Sequence, residues 1–298
     1  MLKLAAIKFG GSGRLAFVDD GSLRLLPEDL VQIQDAIAAG RPALRALAAR
    51  ADLQRIGYEE ALLRAPRTDT RRDILCAGWN YWDHFEEGKG RRDGQEVDRP
   101  EHPTFFTKGP DTMIGPFDPI AYDPAISAKW DYEVEVAIII GKEGRSIAEA
   151  DALDHVFGYC LANDISQRDL QRAHGGQWLK GKSIDGTMPF GPYVTLADGV
   201  DPSAIDIECV LNGTVVQSAS TKLMAFPIAT LIAELSFGMT LRAGDVLLTG
   251  TPAGVGNART PQLFLKEGDE VVCRSPLLGE LRNKLTAADL HSPSDGRT

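Results

Sequence analysis

The sequence predicts an α+β protein dominated by β-structure. Three observations carry this. Short apolar or alternating runs bounded by Gly, Asp and Pro recur along most of the chain. Helical periodicity is confined to a few segments. The C-terminal third is strand-rich and punctuated by Gly244-Asp245 and Gly268-Asp269 turns. The length, 298 residues, fits one large domain or a small domain followed by a larger one, with a core that needs no disulfide staples.

Residues 1–26 read as β-structure. Leu4-Ala5-Ala6-Ile7-Lys8-Phe9 and Arg14-Leu15-Ala16-Phe17-Val18 are separated by Gly10-Gly11-Ser12-Gly13, and Asp19-Asp20-Gly21 closes the second run as a hairpin signal. A helix is expected from near Pro27 to Gly40, and a second from Pro42 to about Leu53. The polar, aperiodic stretch around residues 64–70 suggests a boundary, giving a small α/β unit at 1–70 and a larger one at 71–298. The larger unit opens with the strand Asp73-Ile74-Leu75-Cys76-Ala77-Gly78. Asn80 then reads as the cap of a short helical turn that Gly88 ends. Residues 89–103 are charged and Gly/Pro-punctuated, as in a mobile loop that either closes as a lid or stays a surface loop. Ser146-Ile147-Ala148-Glu149 is a capping-box signature. Leu211-Asn212-Gly213-Thr214 reads as a hairpin turn, residues 227–237 as an apolar helix, and residues 291–298 as a frayed tail.

Composition excludes several functions. Lys and Arg number 32 against 42 Asp and Glu, a net charge of −10. This opposes a nucleic-acid surface, which needs clustered cations; the one dense basic patch, at residues 89–92, is short. The longest apolar runs, such as Ala137-Ile138-Ile139-Ile140, fall far short of the ~20 residues of a membrane span, and the N-terminus lacks a signal-peptide stretch. Cys76, Cys160, Cys209 and Cys273 are scattered, as buried free thiols in a reducing compartment would be. A soluble cytoplasmic protein is the expectation.

The segment from Asp131 to Gly141 is the most informative. Alternation places Asp131, Glu133 and Glu135 on one strand face, and the apolar continuation implies burial on both faces. Carboxylates entering such a strand repel each other and resist desolvation. A divalent cation would relieve both, and oxygen-only ligands suit Mg²⁺, Mn²⁺ or Ca²⁺ rather than Zn²⁺; the plain alternative is a solvated acidic face. Tyr159-Cys160-Leu161-Ala162-Asn163-Asp164 reads as a second apolar strand ending in a carboxylate, followed by Arg168-Asp169-Leu170-Gln171. His84 and Glu87 share a helical face at i, i+3, the arrangement that orients a general base, or else a surface pair. Gly176-Gln177-Trp178-Leu179-Lys180-Gly181-Lys182-Ser183 fits the letters of a phosphate-binding loop. Its context does not: no apolar strand precedes it, and Pro189 and Pro192 follow where a helix should be. Leu247-Leu248-Thr249-Gly250-Thr251-Pro252-Ala253-Gly254-Val255-Gly256 is an apolar strand entering a Gly-rich loop. Its backbone N–H groups can approach an anion, although the dinucleotide spacing is absent.

Together these segments resemble the fumarylacetoacetate hydrolase family over residues 73–284. The matching motifs are Asp131-Tyr132-Glu133-Val134-Glu135-Val136-Ala137, Asn163-Asp164-Ile165-Ser166-Gln167-Arg168-Asp169, Gly181-Lys182-Ser183 and the residues 249–256 loop, in the family's order. Gln167 stands where Ala is commoner. The resemblance implies a mixed β-roll catalytic domain in a homodimer. Its metal triad falls on Glu133, Glu135 and Asp164, holding Mg²⁺ or Mn²⁺, with Ca²⁺ also admissible. Its active-site lysine falls on Lys182, its substrate-binding residues on Arg168, Gln171 and Thr251, and its His–Glu pair on His84 and Glu87. The implied substrate is a small anionic 2-oxo acid. The first expectation is hydrolysis of a C–C bond in a 1,3-diketo acid, an acylpyruvate or fumarylpyruvate, through a metal-stabilised enolate, with His84 activating water. Alternatives on the same platform are oxaloacetate-type decarboxylation, isomerisation of an oxo-enoic diacid, and diketo-sugar-acid hydrolysis or dehydration. Trp79, Trp82, Phe105 and Phe106 are candidates for an apolar pocket wall, or for ordinary core.

Overall fold

A computed structural model describes residues 1–67, 72–91 and 96–293. A twelve-stranded sheet runs in the order Arg55–Gly57, Ser22–Leu25, Ser12–Asp19, Lys3–Phe9, Met188–Leu196, Val156–Asn163, Val134–Ile140, Val246–Leu248, Ile74–Gly78 and Thr104–Lys108. Two short strands pair off this path. The sheet is mixed: Val246–Leu248 runs parallel to Ile74–Gly78, while Val134–Ile140 is antiparallel to both its neighbours. A five-stranded sheet runs in the order Thr214–Ser220, Asp206–Leu211, Glu270–Ser275, Gly279–Ala287 and Ile120–Tyr122. This is the sheet-rich α+β architecture expected.

The central strand, Val134–Ile140, is buried along its whole length. Val134, Val136, Ile138 and Ile140 pack into one core with residues of the five-stranded sheet, among them Ile207, Cys209 and Leu281. Ala137 and Ile139 pack into a second core with Leu4, Phe17 and Ile33 from the N-terminal segment. Period-two alternation therefore feeds two cores from one strand. The N-terminal hairpins join the same sheet, with Leu4 opposite Val194. The boundary suggested at residue 70 falls outside the described residues.

Most expected elements are present at the predicted places, with local differences. The two N-terminal helices meet as one element, Ile33–Ala48, broken at Gly40 (φ 82°) just ahead of Pro42. The first begins six residues after Pro27, which instead accepts a turn hydrogen bond from Leu30. Asn212 and Gly213, both at positive φ, form the predicted hairpin turn. Two predicted caps are corrected. Tyr81, not Asn80, precedes the helix Trp82–Glu87. The buried Asn80 amide instead bridges Thr249 and both backbone groups of Phe226, a long-range tie that outcompetes local capping. Ser146 opens no α-helix. Its N–H donates to Ser236 O at the end of the helix Ile228–Ser236, its hydroxyl accepts from Gly238 N just beyond, and a 3₁₀ helix starts at Glu149. No helix among the described residues is long and apolar enough to cross a membrane. All four cysteines are buried and free.

The phosphate-loop lookalike resolves into packing. Leu179–Lys182 is one short helical turn, and a Cβ on Gly181 would stand 2.3 Å from Gln171 N and 2.7 Å from Gln167 O. That glycine lets the turn press against the helix Arg168–Ala173. Gly181→Ala is therefore expected to destabilise the protein by about 1–3 kcal/mol, measured by urea unfolding, and ATP added at saturating Mg²⁺ should leave the wild-type melting temperature where Mg²⁺ alone puts it. Further stabilisation by ATP beyond that of Mg²⁺ alone would contradict this account of the motif.

Candidate active site

The site begins where the central strand begins. Trp130–Asp131 pairs with Ser166–Gln167, the chain bends through Tyr132 and Glu133, and regular pairing resumes at Val134 opposite Asn163. Asp131 and Glu133 thus lie outside the regular Val134–Ile140 strand, a departure from the single face expected. Asp164 follows the neighbouring strand, and its N–H donates to Glu133 O at 2.9 Å. The Asn163 side chain accepts from Glu133 N at 3.0 Å. These register contacts bring Glu133, Glu135 and Asp164 together, all buried, with ligand oxygens within 4.8 Å of one another.

Three buried cations face this group. Lys182 Nζ lies 2.6 Å from both Glu133 Oε2 and Asp164 Oδ2. Lys108 Nζ contacts Asp164 Oδ1 at 2.9 Å and donates to Ile165 O at 3.0 Å. Arg168 bridges Asp131 at 2.8 Å and Glu133 at 2.6 Å, and donates to Gln171 Oε1 at 3.1 Å, one helical turn on. Burial opposes the charge on Glu133, yet Arg168 and Lys182 hold its carboxyl down to about 2. Burial likewise opposes the charge on Lys182, but Asp164 and Glu133 keep it protonated above its ordinary range. Glu135 is different. Burial, then repulsion from Asp164 and Glu133, pushes its carboxyl well above the usual glutamate value; a backbone N–H, from Gly250 at 2.7 Å, donates to it.

The Gly-rich loop does hold anions, and they are the protein's own carboxylates. Gly250 N–H donates to Glu135, Gly254 N–H to Glu87 at 2.8 Å, and Gly256 and Asn257 N–H to Asp131 at 2.7 and 2.9 Å. At Gly256 a Cβ would meet Leu263 O at 1.8 Å, so only glycine brings that N–H to Asp131. Thr251 donates its hydroxyl to Val134 O at 3.0 Å and accepts from Gln217 at 2.8 Å.

His84 Nδ1 lies 2.8 Å from Glu87 Oε1. With Glu87 as acceptor, Nδ1 carries the proton and Nε2 is the basic nitrogen. One cavity is lined by every predicted site residue except Glu87, which binds the lining residue His84, and Asp164, which binds the lining residue Lys182. Of the four aromatic candidates, Trp79 and Phe106 line it, whereas Trp82 packs on Phe85 and Phe226, and Phe105 on the core. Sequence reasoning missed Lys108, Trp178, Arg91 and Arg172. A lone lysine ending a strand carries no local signal, and Trp178 was masked by the phosphate-loop letters.

The donor set fits a hard divalent ion. It offers three carboxylates and no nitrogen or sulfur, and among the described residues the buried Glu135 makes no ion pair, Lys182 acting on it only at longer range. A second acidic group, Asp123, Asp289 and His291, is already engaged: Asp123 accepts from Ala125 N, Leu290 N and His291.

A scan of family models matches residues 73–286 to the fumarylacetoacetate (FAA) hydrolase C-terminal domain. The oxaloacetate tautomerase YisK of Bacillus subtilis is 43% identical over 227 residues, covering 76% of this chain and 73% of that protein. The human mitochondrial oxaloacetate tautomerase FAHD2B is 42% identical over 263 residues, covering 87% and 80%. Among solved structures, the fumarylacetoacetate hydrolase from Exiguobacterium antarcticum superposes with a TM-score of 0.82 at 36% identity, covering 97% of this chain and 100% of that one.

The elevated Glu135 carboxyl sets a pH dependence. A group whose pKa is raised by folding stabilises the protein below its unfolded value, about 4.3, and that stability is lost as pH rises through the elevated value. In chelator, the melting temperature should therefore fall as pH rises above about 4.3. Glu135→Gln should flatten the decline, and Mn²⁺ should abolish it in wild type. Equal slopes in wild type and variant by calorimetry would contradict the assignment.

Proposed function

Because the chain belongs to the fumarylacetoacetate hydrolase family, we propose that this enzyme is a divalent-metal-dependent oxaloacetate tautomerase, interconverting the enol and keto forms. The observation that carries the reading is the single cavity in which Glu133, Glu135, Arg168 and Lys182 meet His84. The names of the relatives point to the same reaction.

Glu133, Glu135 and Asp164 would hold Mg²⁺ or Mn²⁺, whose role is Lewis-acid stabilisation of the enolate. Arg168 and Gln171, already hydrogen-bonded to each other, present donors to the substrate's 2-oxo acid end, and Lys182 offsets its charge. His84, oriented by Glu87, carries one proton between the 2-oxygen and C3. The proton lost at oxygen equals the proton gained at carbon, so no water is consumed. Trp79, Phe106 and Trp178 exclude solvent from that transfer. A homodimer and a cytoplasmic location belong to the same proposal, supported by the family resemblance and the free buried cysteines.

Hydrolysis of a 1,3-diketo acid is the second reading. The His84–Glu87 pair supports it, since the same base would activate a water against a distal carbonyl, and the Exiguobacterium neighbour is named as such a hydrolase.

Loss of enol absorbance from freshly dissolved oxaloacetate should be accelerated by the Mn²⁺-loaded protein. Glu135→Ala should lower kcat/KM about a hundred-fold or more, and His84→Ala should lower kcat about 10²–10⁴-fold. Full activity of Glu135→Ala would contradict the reading. Cleavage of acylpyruvates with little effect on oxaloacetate would favour hydrolysis.

A further inference from the structure

We propose that Arg91 is the specificity-determining residue that recognises the second carboxylate of the substrate, making the cavity selective for dicarboxylic over monocarboxylic 2-oxo acids. The inference rests on the tautomerase reading for the placement of the first carboxylate at Arg168 and Gln171.

Arg91 lies past the end of the helix that carries His84. The turn closes through Arg91 N–H donating to Gly88 O at 3.1 Å, with Gly90 at φ 71°. Arg91 lines the same cavity as Glu133 and Lys182. The guanidinium is fixed by three neutral oxygens: Asn257 O at 3.2 Å, Arg259 O at 2.7 Å and Thr260 Oγ1 at 2.5 Å. Its backbone carbonyl accepts from Arg172, which also lines the cavity.

This differs from the three buried cations that face the carboxylates. Arg168, Lys182 and Lys108 are each neutralised by carboxylates at 2.6–2.9 Å. Arg91 has no carboxylate partner among the described residues. A guanidinium has five N–H donors, so three neutral contacts leave donors and the full charge for a ligand. Carbonyl anchoring sets its orientation before substrate arrives, which lowers the ordering cost of binding.

The chemistry of the substrate makes that cation necessary. A 2-oxo diacid bound by its inner end at Arg168 carries a second carboxylate into a cavity walled by Trp79, Phe106 and Trp178. Those rings cannot replace its hydration. A charge-assisted contact with a guanidinium can. A mono-acid with a neutral tail needs no such partner.

The test compares oxaloacetate with its 4-ethyl ester, which keeps the 2-oxo acid and the enolisable carbon but lacks the second charge. With the Mn²⁺-loaded protein, Arg91→Gln should raise KM for oxaloacetate about 10–100-fold with kcat within about twofold, and leave the ester's constants unchanged. Arg91→Lys should recover part of the preference. Equal losses on both compounds, or none on oxaloacetate, would overturn the assignment. Should wild type accelerate neither compound, the tautomerase reading falls, and calorimetric dissociation constants for the same pair decide Arg91 separately. A diacid preference that collapses in Arg91→Gln supports its role, and one that is unchanged rejects it.

Discussion

Four carboxylates, at Asp131, Glu133, Glu135 and Asp164, are buried against three cations, at Lys108, Arg168 and Lys182. Charges removed from water are tolerated only when paired and hydrogen-bonded. Much of the local architecture follows from that demand. The central strand is interrupted at Tyr132 and Glu133. Two short helices bring Arg168 and Lys182 to the carboxylates, and the loop of residues 249–257 turns its N–H groups inward. The balance falls one positive charge short, and the deficit sits at Glu135. A divalent cation among oxygen ligands is the species that best completes such a cluster.

The same loop couples stability to function. It binds Asp131, which aims Arg168 into the cavity, and Glu87, which aims His84. A polar group held by fixed backbone donors has little freedom to reorganise, which is what a site stabilising developing negative charge requires. The neighbouring strands, fully buried on both faces, hold these positions rigidly.

Much of this was legible in the sequence because the relevant signals are periodic or local. Alternation in residues 131–141 exposed the acidic entry and the doubly buried strand, and Asn212-Gly213 specified its own turn. The failures share a cause: local motifs lost to long-range partners. Asn80 and Ser146 carry capping chemistry, yet each bonds residues about ninety or more positions away. The letters of residues 176–183 suggested a phosphate cradle, whereas Gly181 serves close helix packing. Lys108 and Arg91 were illegible because a single cation gains meaning only from what the fold places opposite it. Asp131 looked like a third member of an acidic face and instead holds Arg168.

The central claim is that Glu133, Glu135 and Asp164 form one divalent-metal site. The most direct measurement is titration of chelator-treated protein with Mn²⁺, followed by the electron paramagnetic resonance signal of free ion, in wild type and in Asp164→Asn. One tight site per chain in wild type, lost or weakened at least about ten-fold in the variant, is the result this account predicts. Saturable binding unchanged by Asp164→Asn, or no binding in wild type, would contradict it.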